Sequence, residues 1–426
     1  MTILDPIVRQ GCGCDAPDEV APLISIDEAL RLIGEAVAPV PETERLALDA
    51  AGGRVLAAPV RATAACPPFD NAALDGYALA TAYLEGEGPW SLPVATRIPA
   101  GRSSGLRIDG RVAARIFTGA PIPPGADAVV RQEDVERDGA GVRIARLPEA
   151  GLNIRRAGSD MAAGQAILAA GTTLGPRQVA AAAAAGAGEV CVSRRLRVAL
   201  LVTGDEVRDA GAARRDGQIW DVNTPMLRAL LAGPGFDLAR VEHGADRRPE
   251  LKRQLGTLSH DVDLVVTTGG ISVGEEDHVK PALASLDAAF VFSGVAIKPG
   301  KPVSFGRRGG TFWLGLPGNP LSAFVCWQVF GRAILRGLAG ATMEAPRRRH
   351  VVLGRAIRRK PGRCELRPAT LAGFDPAGRE VAAFEDAVHS DRVVGVAKAD
   401  GLVFLPGDCE YLPGGALVEF QPFCDS

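Results

Sequence analysis

Two lysines three residues apart, in Lys298-Pro299-Gly300-Lys301-Pro302, are the most chemically pointed feature of this sequence. Lysine is scarce here, occurring only at 252, 280, 298, 301, 360 and 398, and arginine supplies the other basic side chains. Two prolines and a glycine stiffen the turn that carries the pair. An ammonium group is a strong point-charge partner for phosphate or an oxyanion, so the spacing predicts an anion site. Three further stretches could hold phosphate. Thr203-Gly204-Asp205-Glu206 follows one apolar run, and Thr268-Gly269-Gly270-Ile271-Ser272-Val273-Gly274-Glu275-Glu276-Asp277 follows another. Glycine lets backbone N–H groups approach a phosphate, and a helix start beyond it adds a favourable dipole. Pro317-Gly318-Asn319-Pro320-Leu321-Ser322 opens a predicted helix, with Pro320 suited to its first turn. None of these matches a Walker A loop or a G-x-G-x-x-G fingerprint. A plain strand-to-helix turn with solvated acids is the alternative reading of each.

Acids and hydroxyls collect elsewhere too. Phe69 to Ala78 packs Asp70 and Asp75 beside Asn71 and Gly76; Thr118-Gly119 is a Thr-Gly turn; Asp160 ends RRAGSD. Carboxylates gathered around a diphosphate are what Mg²⁺ takes, since it prefers hard oxygen donors and lets substrate phosphate complete its shell. Solvated loop acids would look the same.

These groups need elements to position them. Residues 25–37 read as a helix capped by Ser25, with Glu28 three residues on. A second helix is expected near 42–51, ending at Gly52-Gly53. From 61 to 156 short apolar runs alternate with Gly and Pro, the texture of a β-rich module. Helix returns at 178–185. The run RVALLVT at 197–203 and DLVV at 263–266 read as buried parallel strands, 237–243 as another strand, and 223–231, 249–258 and 319–338 as helices. Alternating strand and helix predict an α/β domain with a mostly parallel sheet. Its ligands belong beyond the carboxyl ends of the strands, where the glycine stretches fall. Short strands and Gly-Pro turns after 350 fit a small β-barrel or sandwich.

The bulk numbers bound the function. At 426 residues, 47% hydrophobic, with a mean hydropathy of +0.10, the chain has material for several cores. A formal net charge of −2 and no long basic tract give nucleic-acid binding little support. The first residues lack a charged segment followed by an apolar one, and the longest low-polarity run, 179–188, is too weakly apolar to span a bilayer. A cytoplasmic location, with no membrane partner, is therefore expected. Of eight cysteines, Cys191 and Cys326 sit in apolar surroundings as reduced thiols would. Cys12 and Cys14 form a C-x-C in a tail, with no further Cys or His set to complete a zinc site.

Taken together, NAALDGYA, FTGAPIPPGADAVV, NIRRAGSD, TGDEV, DGQIWDVN, TTGGISVGEEDH, IKPGKP and LPGNPLSAF resemble, in family order, the molybdopterin molybdenumtransferases of the MoeA and gephyrin E-domain type. The resemblance runs from about residue 20 to 424. It implies an α/β multidomain protein with a flexible tail (1–20), an elongated N-terminal domain (21–60 and 157–194), a β-rich insertion (61–156), a three-layer molybdopterin-binding α/β domain (195–344) and a C-terminal β-barrel (345–426). It implies a reaction of molybdate with adenylylated molybdopterin to give molybdenum cofactor and AMP. It also implies a homodimer whose site joins the α/β domain of one copy to the insertion of the other. Further partners would be the molybdopterin adenylyltransferase and molybdoenzyme maturation factors.

By that resemblance Asp75, Thr118, Glu206, Asp277, Lys298 and Lys301 are catalytic. Asp160, Thr203, Gly204, Asp205, Gly269, Gly270, Ser272, Gly274, Pro317, Gly318, Asn319, Pro320 and Ser322 hold the pterin substrate. Glu206, Asp246 and Asp277 hold Mg²⁺ or polar parts of the substrate. Gly294 stands where the family often has a polar or basic residue, and Arg247 and Arg248 follow Asp246 where a further acid is common. A related adenylyltransferase and a non-catalytic scaffold are the alternatives. The first usually has a stand-alone α/β domain, and the second relies on partner segments not evident here.

Overall fold

Leu196–Thr203 is apolar at nearly every position, and a strand without a polar face must be covered on both sides. The computed structural model, which describes residues 23–271, 277–342, 348–385 and 393–423, shows how. The strand lies inside a six-stranded sheet in the order Phe236–Gly244, Leu196–Thr203, Leu264–Thr268, Thr311–Leu316, Ser304–Arg308, Ala289–Ser293. Its alternate residues serve two cores. Leu196, Val198, Leu200 and Val202 pack with Leu227, Trp327 and Phe330, whereas Ala199 and Leu201 pack with Leu251, Leu255 and Val279. Helices Asn223–Leu230 and Pro320–Leu338 thus cover one face, and Arg248–Leu258 and Val279–Ala284 the other, giving three layers.

The first four strands are parallel. The last two continue antiparallel, through a hairpin whose turn uses Gly309 at φ 59°. The expected mostly parallel sheet therefore holds where the predicted ligand loops lie; the hairpin was not expected. From Leu196–Thr203 the chain moves outward to Phe236–Gly244, then returns to Leu264–Thr268 on the other side. That reversal opens a crevice beyond Thr203 and Thr268, the place where open α/β sheets bind ligands.

The predicted helix at 319–338 runs its length, but with a π-helical turn at Trp327–Gly331. There the Trp327 ring lies against Gly331, where a Cβ would come within 2.6 Å of it. Gly340, at φ 71°, follows its end. Helix Ile26–Ala36, capped by Ser25, buries Ile26, Ala29 and Ile33 in this same central core.

The second expected helix is not one. Thr43–Ala47 is a strand and Leu48–Ala50 a single 3₁₀ turn. Pairing with Glu189–Ser193 decides the matter, since a ladder to a distant segment outweighs local propensity. Similar short antiparallel ladders join Val60–Arg61 to Ala166–Leu168 and Asn71–Ala72 to Ile154–Arg155. The two segments flanking the insertion are thereby stitched along their length, around a core that includes Leu56, Met161, Leu174 and Val192. The insertion itself is a six-stranded sheet, matching the expected β-rich module. After residue 348, strands Arg349–Leu353, Cys364–Phe374, Glu380–Ala383, Gly401–Leu405 and Leu417–Pro422 close into a five-stranded barrel. Among the described residues no helix is long and apolar enough to cross a membrane.

Candidate active site

The crevice is a cavity of about 940 Å³ at the carboxyl ends of the parallel strands. Its base is backbone. Thr203, buried at the end of its strand, faces Gly269 and Gly270, whose φ values of 88° and 60° only glycine adopts without strain. A Cβ on Gly269 would also come within 2.6 Å of the Thr203 hydroxyl. Side-chain hydrogen bonds lock three loops together here. The Asn223 amide donates to Thr268 Oγ1 at 2.7 Å and to the Gly318 carbonyl at 2.7 Å. The Thr268 hydroxyl donates to the Pro317 carbonyl at 3.2 Å. Pro317, Gly318, Asn319, Pro320 and buried Ser322 bring a helix start to the cavity wall, beside Gly204.

Cations form a second wall. Lys298, Lys301 and Arg363 all line the cavity. Ile297–Lys298 pairs in parallel with Cys364–Glu365, so the lysine turn is docked on the C-terminal barrel. Lys298 Nζ lies 3.5 Å from Glu365 Oε1, and buried Glu365 also faces Arg367 at 2.9 Å and Arg359 at 3.3 Å. Burial opposes its charge, but Arg367, Lys298 and Arg359 hold its carboxyl below the usual carboxylate range. Gly300 has φ 116°, and a Cβ there would meet Cys326 Sγ at 2.4 Å, so the turn lies tight against the helix behind it. Cys326 is a buried free thiol, as expected.

Glu206, Asp246 and Asp277 line the same cavity. Asp205 and Asp246 exchange hydrogen bonds, Asp205 N–H to Asp246 Oδ2 at 3.0 Å and Asp246 N–H to Asp205 Oδ1 at 3.4 Å. The Asp205 side chain does not line the cavity; it positions Asp246. Burial, then the charges of Asp205 and Glu206, push the Asp246 carboxyl upward, against the opposing Asp205 N–H. Ser272 and Gly274 lie outside the described residues.

Asp75, Thr118 and Asp160 are not among the residues lining this cavity. Asp75 and Thr118 do meet one another. The Thr118 backbone N–H and hydroxyl donate to Asp75 Oδ1 at 2.9 and 2.8 Å, which holds that carboxyl below its usual range. Asp160 is exposed on the turn after the insertion. Asp221, Asn223, Trp220 and Arg363 line the cavity and were not singled out individually from sequence. A signal existed for two of them. Asp221 accepts the Thr224 N–H at 2.9 Å, so an acid three residues before a backbone N–H marks the helix start that Asn223 opens.

Two outcomes test this geometry. Asn223→Ala removes both loop bonds and is expected to destabilise the central domain by about 1–3 kcal/mol, read as a lower urea midpoint. An unchanged midpoint would mean the loops hold themselves. Glu365→Gln is expected to cost about 3–5 kcal/mol at pH 7, because it strands buried guanidinium groups. A carboxyl with a lowered folded value contributes fully above its unfolded value, near ~4.3, and loses that contribution as pH falls through the folded value. The gap between wild type and Glu365→Gln should hold down to about pH 4 and close below it; a gap that closed near neutrality would refute the assignment.

Known proteins resemble this chain over most of its length. Residues 24–186 match the family model of the MoeA N-terminal region (domain I and II), 199–337 that of the probable molybdopterin binding domain, and 350–423 that of the MoeA C-terminal region (domain IV). The chain is 35% identical over 380 residues to the molybdopterin molybdenumtransferase 2 of Mycobacterium tuberculosis, covering 87% of this chain and 93% of that one. It is 37% identical over 305 residues to the molybdopterin molybdenumtransferase of Nostoc sp., covering 70% of each. A crystal structure of the molybdopterin biosynthesis moeA protein from Pyrococcus horikoshii superposes with a TM-score of 0.78 at 27% identity, covering 94% of this chain and 100% of that one. The chain belongs to the molybdopterin molybdenumtransferase family, enzymes of molybdenum cofactor biosynthesis.

Proposed function

We propose that the cavity binds adenylylated molybdopterin together with molybdate, and that the products are molybdenum cofactor and AMP. One observation carries this reading: Lys298, Lys301 and Arg363 converge on the same cavity as the glycine loops and the Asn319-Pro320 helix start. The Gly269 N–H is committed to the Leu316 carbonyl, so the Gly270 N–H and the helix start are the groups that suit phosphate oxygens. The three cations suit a tetrahedral dianion. As the phosphoanhydride breaks, charge builds on its oxygens, and Lys298 and Lys301 offset it in place. The thiolates that take up molybdenum belong to the pterin, so no protein cysteine is needed, and buried Cys326 is consistent with that.

The acids fit a divalent cation. Asp246 is crowded by Asp205 and Glu206, and a cation would relieve that repulsion. Glu206, Asp246 and Asp277 would hold Mg²⁺, which supplies a hard dication at the diphosphate oxygens. The chain works as a homodimer in this reading. Asp75 and Thr118 reach the site from the insertion of the partner copy, in keeping with their not lining the cavity of their own chain, and Asp160 holds part of the pterin substrate. A cytoplasmic enzyme taking its substrate from an adenylyltransferase follows from the same reading.

Molybdate-dependent AMP release tests it. Lys298→Ala and Lys301→Ala are each expected to slow release by about 100-fold or more; wild-type rates in both would sink the assignment. Asp75→Ala and Lys298→Ala are each expected to be inactive alone. After subunit exchange, half the dimers are mixed and each mixed dimer holds one intact site, so about a quarter of wild-type activity should return. No recovery, with exchange verified, would place Asp75 in the site of its own chain.

A further inference from the structure

Beside the cavity rim, Asp209, Asp221 and His243 converge from three separate elements. Asp209 follows the short ladder of Val207–Arg208 with Ile219–Trp220, Asp221 precedes helix Asn223–Leu230, and His243 lies on edge strand Phe236–Gly244. His243 Nε2 is 3.8 Å from Asp209 Oδ1 and 3.8 Å from Asp221 Oδ2, and one ligand atom from each residue lies within 4.8 Å of the others.

A second observation points to a ligand. Asp221 is 5% exposed, and only one of its carboxylate oxygens is used, as Oδ1 accepts the Thr224 N–H. Oδ2 is buried and has no hydrogen-bond partner. It faces the imidazole across a gap too long for a hydrogen bond. A buried carboxylate oxygen left unpaired is costly, so something of positive charge belongs in that gap.

We propose that Asp209, Asp221 and His243 form a binding site for a divalent transition-metal ion, with Zn²⁺ the best fit to the donors. One imidazole nitrogen and two carboxylate oxygens suit zinc, whereas Mg²⁺ prefers oxygen alone. With bonds of about 2.0–2.2 Å, tetrahedral ligand atoms sit roughly 3.3–3.6 Å apart, so each 3.8 Å gap from the imidazole to a carboxylate needs to close by only a few tenths of an ångström. His243 and Asp209 are exposed, which leaves an entry path and a position for water. The site is distinct from Glu206, Asp246 and Asp277 and does not depend on the proposed reaction. It would tie the 205–222 loop to the sheet edge through Asp221, which with Trp220 lines the cavity rim. Zinc there would hold that rim in place.

The test is calorimetric titration of Zn²⁺ into the full-length, chelator-stripped protein, in a Cys12→Ser, Cys14→Ser background that removes the tail thiols. One equivalent is expected to bind, and His243→Ala and Asp209→Asn are each expected to weaken it by roughly tenfold or more, the least that loss of a ligand should do. Both substituted residues are exposed, and unchanged metal-free melting of each variant would show that the fold is kept. Co²⁺ in the same site should show visible absorption without a sulfur-to-metal band. Equal Zn²⁺ affinity in both variants, or no binding at all, would overturn the proposal.

Discussion

A parallel sheet whose chain order reverses cannot close over its own carboxyl ends, and the rest of this molecule depends on that constraint. Strands Leu196–Thr203 and Leu264–Thr268 are neighbours, yet the chain between them first goes out to the opposite edge. Their ends therefore part company, and the loops that follow must turn away from each other over exposed strand termini. Backbone N–H groups at such a place want partners. Nature's cheap solution is glycine, which lets the loop fold back with positive φ, and an anion, which accepts what the loops donate. Asn223 then acts as the bracket. Its one amide group reaches both Thr268 and Gly318, so the loops after two adjacent strands cannot move apart independently.

The positive wall has a different origin. Lys298 and Lys301 sit in the central domain's sequence, but the strand pairing that positions Lys298 belongs to the C-terminal barrel. Glu365 is the hinge of that arrangement. A single buried carboxylate would be prohibitive, and three unneutralised cations around it equally so; together they satisfy one another. Lys298 is the only member of that set that also lines the cavity. Its charge is thus shared between a structural anion behind it and the open space in front. A barrel that looks peripheral in this way helps build the cationic wall of the cavity.

Three of the parallel strands, the helices that cover them and the glycine loops were legible because each depends on local pattern: apolar runs, caps, and glycine where φ must be positive. The failures share a cause. Thr43–Ala47 reads locally as helix and becomes a strand only because Glu189–Ser193, some 140 residues on, pairs with it. The hairpin at 304–316 was overlooked since its residues carry no chemistry of their own. Arg363 joins Lys298 only through barrel pairing. Asp221 and His243, 22 residues apart, meet only because helix and edge strand pack side by side. Nothing in spacing announces contacts made by the sheet.

The same distinction separates the acids. Glu206, Asp246 and Asp277 share a cavity, but among the described residues the set whose ligand atoms draw within 4.8 Å of each other is Asp209, Asp221 and His243. A site built to hold a substrate's diphosphate gains from loosely spread carboxylates, since the phosphate itself must supply part of the cation's shell. A site built to hold an ion for structural reasons needs its donors already close, with one of them buried and committed. Asp221 meets that second description: one oxygen caps the helix, and the helix cap fixes where the other oxygen must point. Because Asp221 also lines the cavity, an ion bound there as proposed would order the rim as well. Under the two proposals, two charge demands, one transient and one permanent, would be met within one crevice without sharing ligands.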